Sequence, residues 1–160
     1  MLRVSSLMEI KVDDLSGPEI AAFLDEHIQD MRSVSPPESK HALDLPALRM
    51  PGITFWILWH ERRIAGCCAL KELDSSHGEV KSMRTAAALR RHGVAGRLLE
   101  HLISEATARG YRRLSLETGA MPFFEPARTL YRKFGFAECG PFGSYKEDPN
   151  SVFLTKNLPA

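Results

Sequence analysis

Arg90-Arg91-His92-Gly93-Val94-Ala95-Gly96 is the stretch on which the fold turns. Before it, Glu79 to Thr85 reads as a strand; after it, Val94, Leu98, Leu99, Leu102, Ile103 and Ala106 recur at helical spacing. A strand that passes through glycines into a helix offers a ligand the first N–H groups of that helix. Those groups have no partner inside the helix and lie at the positive end of its dipole. Glycine at 93 and 96 and alanine at 95 let the backbone come close to a ligand, and Arg90, Arg91 and Arg97 add positive charge. The combination suits a pyrophosphate. The plainer alternative is an ordinary strand-to-helix turn with solvated arginines. Two other phosphate solutions are excluded: the chain has no GxxxxGK[ST], and no GxGxxG follows its first strand.

Toward the N-terminus, Glu79–Thr85 is the third strand of a predicted meander. Ile53 to Trp59, rich in β-branched and aromatic residues, and Ile64 to Leu70 form the first two, joined by the polar turn His60–Arg63. Earlier still, Met8 to Val12 alternates as a strand. Ser16-Gly17-Pro18-Glu19 has capping-box spacing ahead of an amphipathic helix with Ile20, Phe23, Leu24, Ile28 and Met31 on one face. Ser33 to Pro51 holds four prolines and is expected to be a loop, with at most a helical turn between Leu43 and Leu48. Toward the C-terminus, Arg97, Glu100, His101, Ser104 and Glu105 make the polar face of the helix, and Gly110 stops it. Tyr111 to Glu117 is a further strand. Pro126 opens a helix that Gly135 ends, and Phe136–Cys139 and Ser151–Leu154 are closing strands. The order is that of a single α/β domain over residues 1–160 with a mixed sheet.

The bulk properties agree. A chain of 160 residues with 44% hydrophobic and 26% charged residues fits one soluble domain with its own core. A formal net charge of +1 gives no overall case for nucleic acid or an anionic membrane, and no apolar run approaches the roughly 18 residues of a membrane span. The three cysteines, Cys67, Cys68 and Cys139, lack metal-ligand spacing, and neighbours on a strand point to opposite faces, so free thiols in a cytoplasmic protein are expected. The histidines at 27, 41, 60, 77, 92 and 101 likewise show no metal spacing. Residues 1–7 are too short and polar for a signal peptide, and Met8 is a second candidate start. Trp56 and Trp59 are expected in the core or at a dimer surface.

Arg90-Arg91-His92-Gly93-Val94-Ala95 matches [Q/R]-x-x-G-x-[G/A], and Ala127-Arg128-Thr129-Leu130-Tyr131-Arg132-Lys133-Phe134-Gly135-Phe136 matches A-x-x-L-Y-x-x-F-G-F. Both, in this order between these elements, resemble the GNAT superfamily of N-acetyltransferases, from about Met8 to Leu158. Lys81–Arg84 and Leu116–Gly119 resemble a bacterial branch of it.

The resemblance implies a mostly antiparallel sheet flanked by helices, with a splayed central strand pair. It implies acetyl-CoA as co-substrate and no metal. The pantetheine arm pairs with Met83, Arg84 and Thr85, and the pyrophosphate takes N–H groups from Arg91, His92, Gly93, Val94, Ala95 and Gly96. A backbone N–H near Met83 stabilises the oxyanion. Tyr131 is the acid for the leaving thiolate, whose reference pKa is about 8.5. Glu79 matches a glutamate that serves as base in some members, and Glu117, ending the next strand, is its rival; solvated carboxylates are the plain alternative for both. Many members carry an asparagine where this chain has Met121-Pro122-Phe123-Phe124-Glu125-Pro126, so Phe123 and Phe124 either line the cleft or plug the core. The loop Pro141–Tyr145 is expected to touch the acceptor or a second subunit.

The favoured activity is acetylation of a primary amine on a small molecule. Acetylation of a protein lysine or N-terminus, and a non-catalytic acyl-CoA sensor, are the alternatives. The arginines at 84, 90, 91 and 97 give nucleic-acid binding only a distant place. A homodimer is compatible with the resemblance.

Overall fold

The computed structural model describes residues 8–34, 45–90 and 92–159. The chain runs β1 (Met8–Val12), α1 (Pro18–Val34), α2 (Leu45–Leu48), β2 (Ile53–His60), β3 (Arg63–Asp74) and β4 (His77–Thr85). It continues through α3 (Val94–Ala108), β5 (Arg113–Gly119), α4 (Glu125–Lys133), β6 (Ala137–Cys139) and β7 (Ser151–Asn157). The seven strands form one sheet in the order β1-β2-β3-β4-β5-β7-β6, antiparallel throughout except for β4 and β5. This is the expected single mixed α/β fold.

The central strands are apolar on both sides because both sheet faces are covered. Trp56, Leu58, Cys68 and Leu70 face Leu98, Leu99 and Leu102 of α3, whereas Phe55, Ile57, Cys67 and Ala69 face Ile20 and Leu24 of α1. Cys67 and Cys68 thus point to opposite faces, and both are free thiols, fully buried. Each fully buried leucine of α3 contributes on the order of 1.5–3 kcal/mol of transfer free energy. Trp56 lies in the core at 2% exposure. Trp59 is half-buried against the α1-side cluster.

Two glycines set α3. Gly93 precedes it with φ 79°, and Gly110 ends it with φ 86°, where Tyr111 N–H reaches back to Ala106 O at 3.1 Å. Gly66 on β3 lets the start of α3 sit close: a Cβ there would fall 2.7 Å from Arg84 O and 2.8 Å from Val94 Cγ1.

β4 and β5 pair only at His77↔Arg113, Gly78↔Leu114 and Glu79↔Ser115. Beyond that point they separate. β5 stays with β7 along its whole length, whereas β4 stays with β3. The cause lies in β4. Cys67 pairs with Arg84 and Ala69 with Lys81, so Ser82 and Met83 together stand opposite Cys68, with Ser82 at φ 53°. Such a bulge bends its strand and takes a backbone group out of the ladder. Cys67 Sγ donates to Ser82 O at 3.2 Å and braces the bend.

Some local expectations need correcting. The Ser16 hydroxyl does not cap α1: it donates to Asp14 Oδ1 at 2.6 Å, and Gly17 O accepts the first helical bond, from Ala21 N–H. An aspartate two residues back offered the nearer partner. α1 runs to Val34, into the expected loop, and the helical turn within it is α2. His101, assigned to the polar face of α3, is half-buried with its ring edge-on to Trp56 at 5.3 Å. The expectations for residues 1–7, for Pro36 and Pro37, and for His41 lie outside the described residues.

Candidate active site

The parting of β4 from β5 opens a cavity of about 630 Å³. One end is the loop before α3. Arg90, Gly93, Val94, Ala95 and Gly96 line it, and among the described residues nothing beyond Gly93's own chain neighbours stands within 4 Å of where its Cβ would be. The α3 amides begin here at the positive end of a 15-residue helix, so the residues present fit an anionic phosphate group. His92 and Arg97 are exposed and lie off the cavity wall. Arg91 lies outside the described residues. Met83, Arg84 and Thr85 line the cavity along β4. Arg84 is buried, its guanidinium 3.7 Å from Glu26 Oε1 and 5.9 Å from the Phe23 ring centroid.

The other wall is β5 with the turn that follows it and α4. Glu117 and Gly119 line the cavity, with Phe123, Phe124 and Tyr131. The Phe124 ring lies where a Cβ on Gly119 would be, 2.1 Å from its Cδ2, so this glycine makes room for the ring. Arg128 Nη1 fastens the turn by donating to Gly119 O at 2.6 Å and Met121 O at 3.0 Å. The two phenylalanines meet edge-on at 5.0 Å, Phe124 half-buried and Phe123 exposed. Phe124 therefore both plugs and lines.

Tyr131 is buried, and its phenol is pushed well above the ordinary tyrosine value, first by burial, then by the repulsion a phenolate would meet from an ionised Cys68 and from the charge of Glu117. It holds its proton at neutral pH. Glu117 accepts a hydrogen bond from the Ser151 hydroxyl at 2.7 Å.

Glu79 is no solvated strand-end carboxylate: it is 2% exposed. Its Oε2 accepts from the Tyr145 hydroxyl at 2.5 Å and from Lys81 Nζ at 3.0 Å, and Lys81 Nζ also donates to the Tyr145 oxygen at 2.9 Å. Both donors converge on Oε2. Burying a carboxylate is tolerable only with such partners. Burial, followed by the charge of Glu79, pushes the Tyr145 phenol well above its ordinary value. Lys81 and Tyr145 both line the cavity.

All three sequence-derived candidates for proton chemistry, Tyr131, Glu79 and Glu117, thus share one cavity. Lys81 and Tyr145 were missing from that set. Lys81 had a signal: two residues after Glu79 on a strand, it shares its face. Tyr145 had none beyond its place in a loop expected near the acceptor.

Comparison with known proteins agrees with this architecture. A family model described as "Acetyltransferase (GNAT) family" matches residues 20–136. The chain is 59% identical over 151 residues to the uncharacterized N-acetyltransferase YsnE of Bacillus subtilis (strain 168), covering 94% of this chain and 100% of that one. It is 49% identical over 152 residues to the uncharacterized N-acetyltransferase YedL of Escherichia coli (strain K12), covering 95% and 96% respectively. A solved GNAT family acetyltransferase from Elizabethkingia anophelis with acetyl-CoA bound has a similar fold, with TM-score 0.64 and 19% identity, over 96% of this chain and 99% of that one. The chain belongs to the GNAT family of acetyltransferases, and its enzymatic class is that of the N-acetyltransferases.

Proposed function

We propose that the protein transfers an acetyl group from acetyl-CoA to the primary amine of a small molecule by direct attack. The observation that carries this reading is the parting of β4 and β5 just after the Glu79↔Ser115 pair, with Glu79, Glu117 and Tyr131 on the walls of the opening. The loop at Arg90–Gly96 supports the pyrophosphate on its backbone amides, and Met83 to Thr85, on β4 beyond its last pair with β5, run alongside the pantetheine arm. The residue released from the ladder by the bulge at Ser82 and Met83 supplies a backbone donor for the charge that builds on the thioester oxygen.

Glu79 is the base. Among the described residues its donors Lys81 and Tyr145 both reach Oε2, which leaves Oε1 to accept the proton of the attacking nitrogen. The C–N bond forms and the C–S bond breaks. The ammonium first passes one proton to solvent through Glu79; as the bonds exchange, Tyr131 gives its proton to the departing sulfur, the nitrogen's second proton goes to Glu79, and solvent exchange restores both residues. Tyr131 is protonated at neutral pH, so the proton is in place when charge develops on sulfur. Glu117 holds the incoming amine through its positive charge.

The cavity volume falls in the range of small-molecule sites and is shared with the donor's arm, so the space for the acceptor is limited. Thiol release from acetyl-CoA across small amines, peptides bearing a lysine or free N-terminus, and buffer alone tests the reading. Turnover with small amines is expected. Turnover on peptides alone would transfer the assignment to protein substrates, and acetyl-CoA binding without turnover on any amine would make the chain a sensor.

A further inference from the structure

Lys81 is what an amine acetyltransferase does not obviously need: a cation in the acceptor half of the cavity, its side chain 9% exposed. A cation there disfavours polyamines and other multiply charged acceptors. An ammonium has three N–H donors. The structure gives two of them partners, Glu79 Oε2 at 3.0 Å and the Tyr145 oxygen at 2.9 Å. The third is left for an oxygen in the cavity. Beside it, Glu79 has Oε1 to offer a nitrogen. A buried carboxylate and a half-buried ammonium therefore stand side by side on the cavity wall, each with one valence left among the described residues for a ligand.

Resting on the acetyltransferase reading above, we propose that the acceptor is an α-amino acid with an apolar side chain. Its amino and carboxylate groups are one carbon apart and carry the charges opposite to those of Glu79 and Lys81, so the two pairs close a ring of complementary charges. The ammonium docks against Glu79 and Glu117, and the carboxylate takes the third N–H of Lys81. Leu24 and Ile28 of α1, with Phe123 and Phe124, give the apolar wall for the side chain. Atoms balance as for any amine. The ammonium loses one proton before attack and a second as the C–N bond forms. The thiolate is protonated, and the products are an N-acetyl amino acid, free CoA and one proton released.

The test compares L-phenylalanine and L-leucine with the amines that lack only the carboxylate, 2-phenylethylamine and 3-methylbutylamine. Acceptor binding to the CoA-saturated full chain is measured by calorimetry, and thiol release from acetyl-CoA is measured in parallel. Each amino acid is expected to bind about tenfold or more tightly than its amine partner, the effect of a hydrogen bond between charged groups. Lys81→Met should erase that difference. Lys81→Gln, which keeps a donor for Glu79 and Tyr145, should do the same and covers the case in which the methionine variant does not fold. The two members of a pair differ in intrinsic basicity, but that difference is the same in every variant, so the change in ratio reports Lys81 alone. Thiol release from simple amines without preference for the carboxylate, or a ratio that survives both substitutions, overturns this inference and leaves the acetyltransferase reading standing. No thiol release with these four compounds overturns this inference, and only its absence across the wider amine and peptide series above overturns the acetyltransferase reading as well.

Discussion

Glu79 and Tyr131 are both buried, yet they are given opposite tasks, and their substitutions should fail differently. Tyr131→Phe removes one hydroxyl from a packed position. It should lower kcat about 100-fold, the size of a lost general acid, with acetyl-CoA affinity unchanged by titration; an unaltered rate would remove the tyrosine from the chemistry. Glu79→Gln and Glu117→Gln form a discriminating pair. The first should depress kcat with little change in the amine KM, whereas the second should raise the amine KM with a smaller effect on kcat. The reverse pattern in steady-state kinetics would exchange the two roles. Tyr131 and Glu79 were legible only through the resemblance to the GNAT superfamily, and Glu117 through its place at the end of the neighbouring strand; the structure lines one cavity with all three. Sequence missed the pairing of Tyr145 with Lys81, which lie 64 residues apart. That contact exists only once the segment between β6 and β7 has folded over the opening, and no local pattern encodes it.

Among the elements, the start of α3 depends on its neighbours more than on its own glycines. Gly66 of β3 is in contact distance of both Arg84 O and Val94. Gly66→Ala should therefore push α3 away from β4, costing about 1–3 kcal/mol in denaturant unfolding as overpacking does, and should weaken acetyl-CoA binding although residue 66 does not line the cavity. Full cofactor affinity in a destabilised variant would show that the loop at Arg90–Gly96 is positioned independently of β3. The elements themselves were legible in sequence. β2 declared itself by its β-branched and aromatic run, β3 as the return arm after the polar turn His60–Arg63, α3 by its leucine stripe, and α4 by Pro126 and Gly135 at its ends. The misreadings came where two local interactions compete, as when Asp14 takes the Ser16 hydroxyl, or where a polar residue finds an aromatic edge, as His101 does on Trp56. The bulge at Ser82 was also silent. A serine at φ 53° carries no sequence mark, and the opening of the sheet depends on it.

For the whole molecule, one sheet with both faces covered explains how a small chain can fork its centre and still keep a core. The same burial gives it an alkaline weakness. Cys67 and Cys68 lie on opposite faces, with thiols pushed up by burial, Cys68 to about 12 from an ordinary value of 9.0. Tyr131 and Tyr145 are likewise raised above an ordinary value of 10.0. All four are neutral when protonated, and the folded state favours that form. The stabilisation they give is complete below the unfolded-state values. As pH rises past 9 the unfolded chain sheds thiol protons that the folded chain keeps, and past 10 it sheds phenol protons too. Stability must therefore fall with rising pH, by up to about 1.4 kcal/mol per pH unit for each such group, until the folded values are reached. Thermal unfolding under reducing conditions should show a flat Tm between about pH 7 and 8.5, then a progressive fall that steepens near pH 10. In Tyr131→Phe the fall from pH 9 should persist, because the thiols remain, but its steepening above pH 10 should be reduced. A Tm that is level from pH 8 to 11 would mean that these groups reach solvent in the folded chain, and a Tyr131→Phe curve parallel to the parent's above pH 10 would take the phenol out of the core.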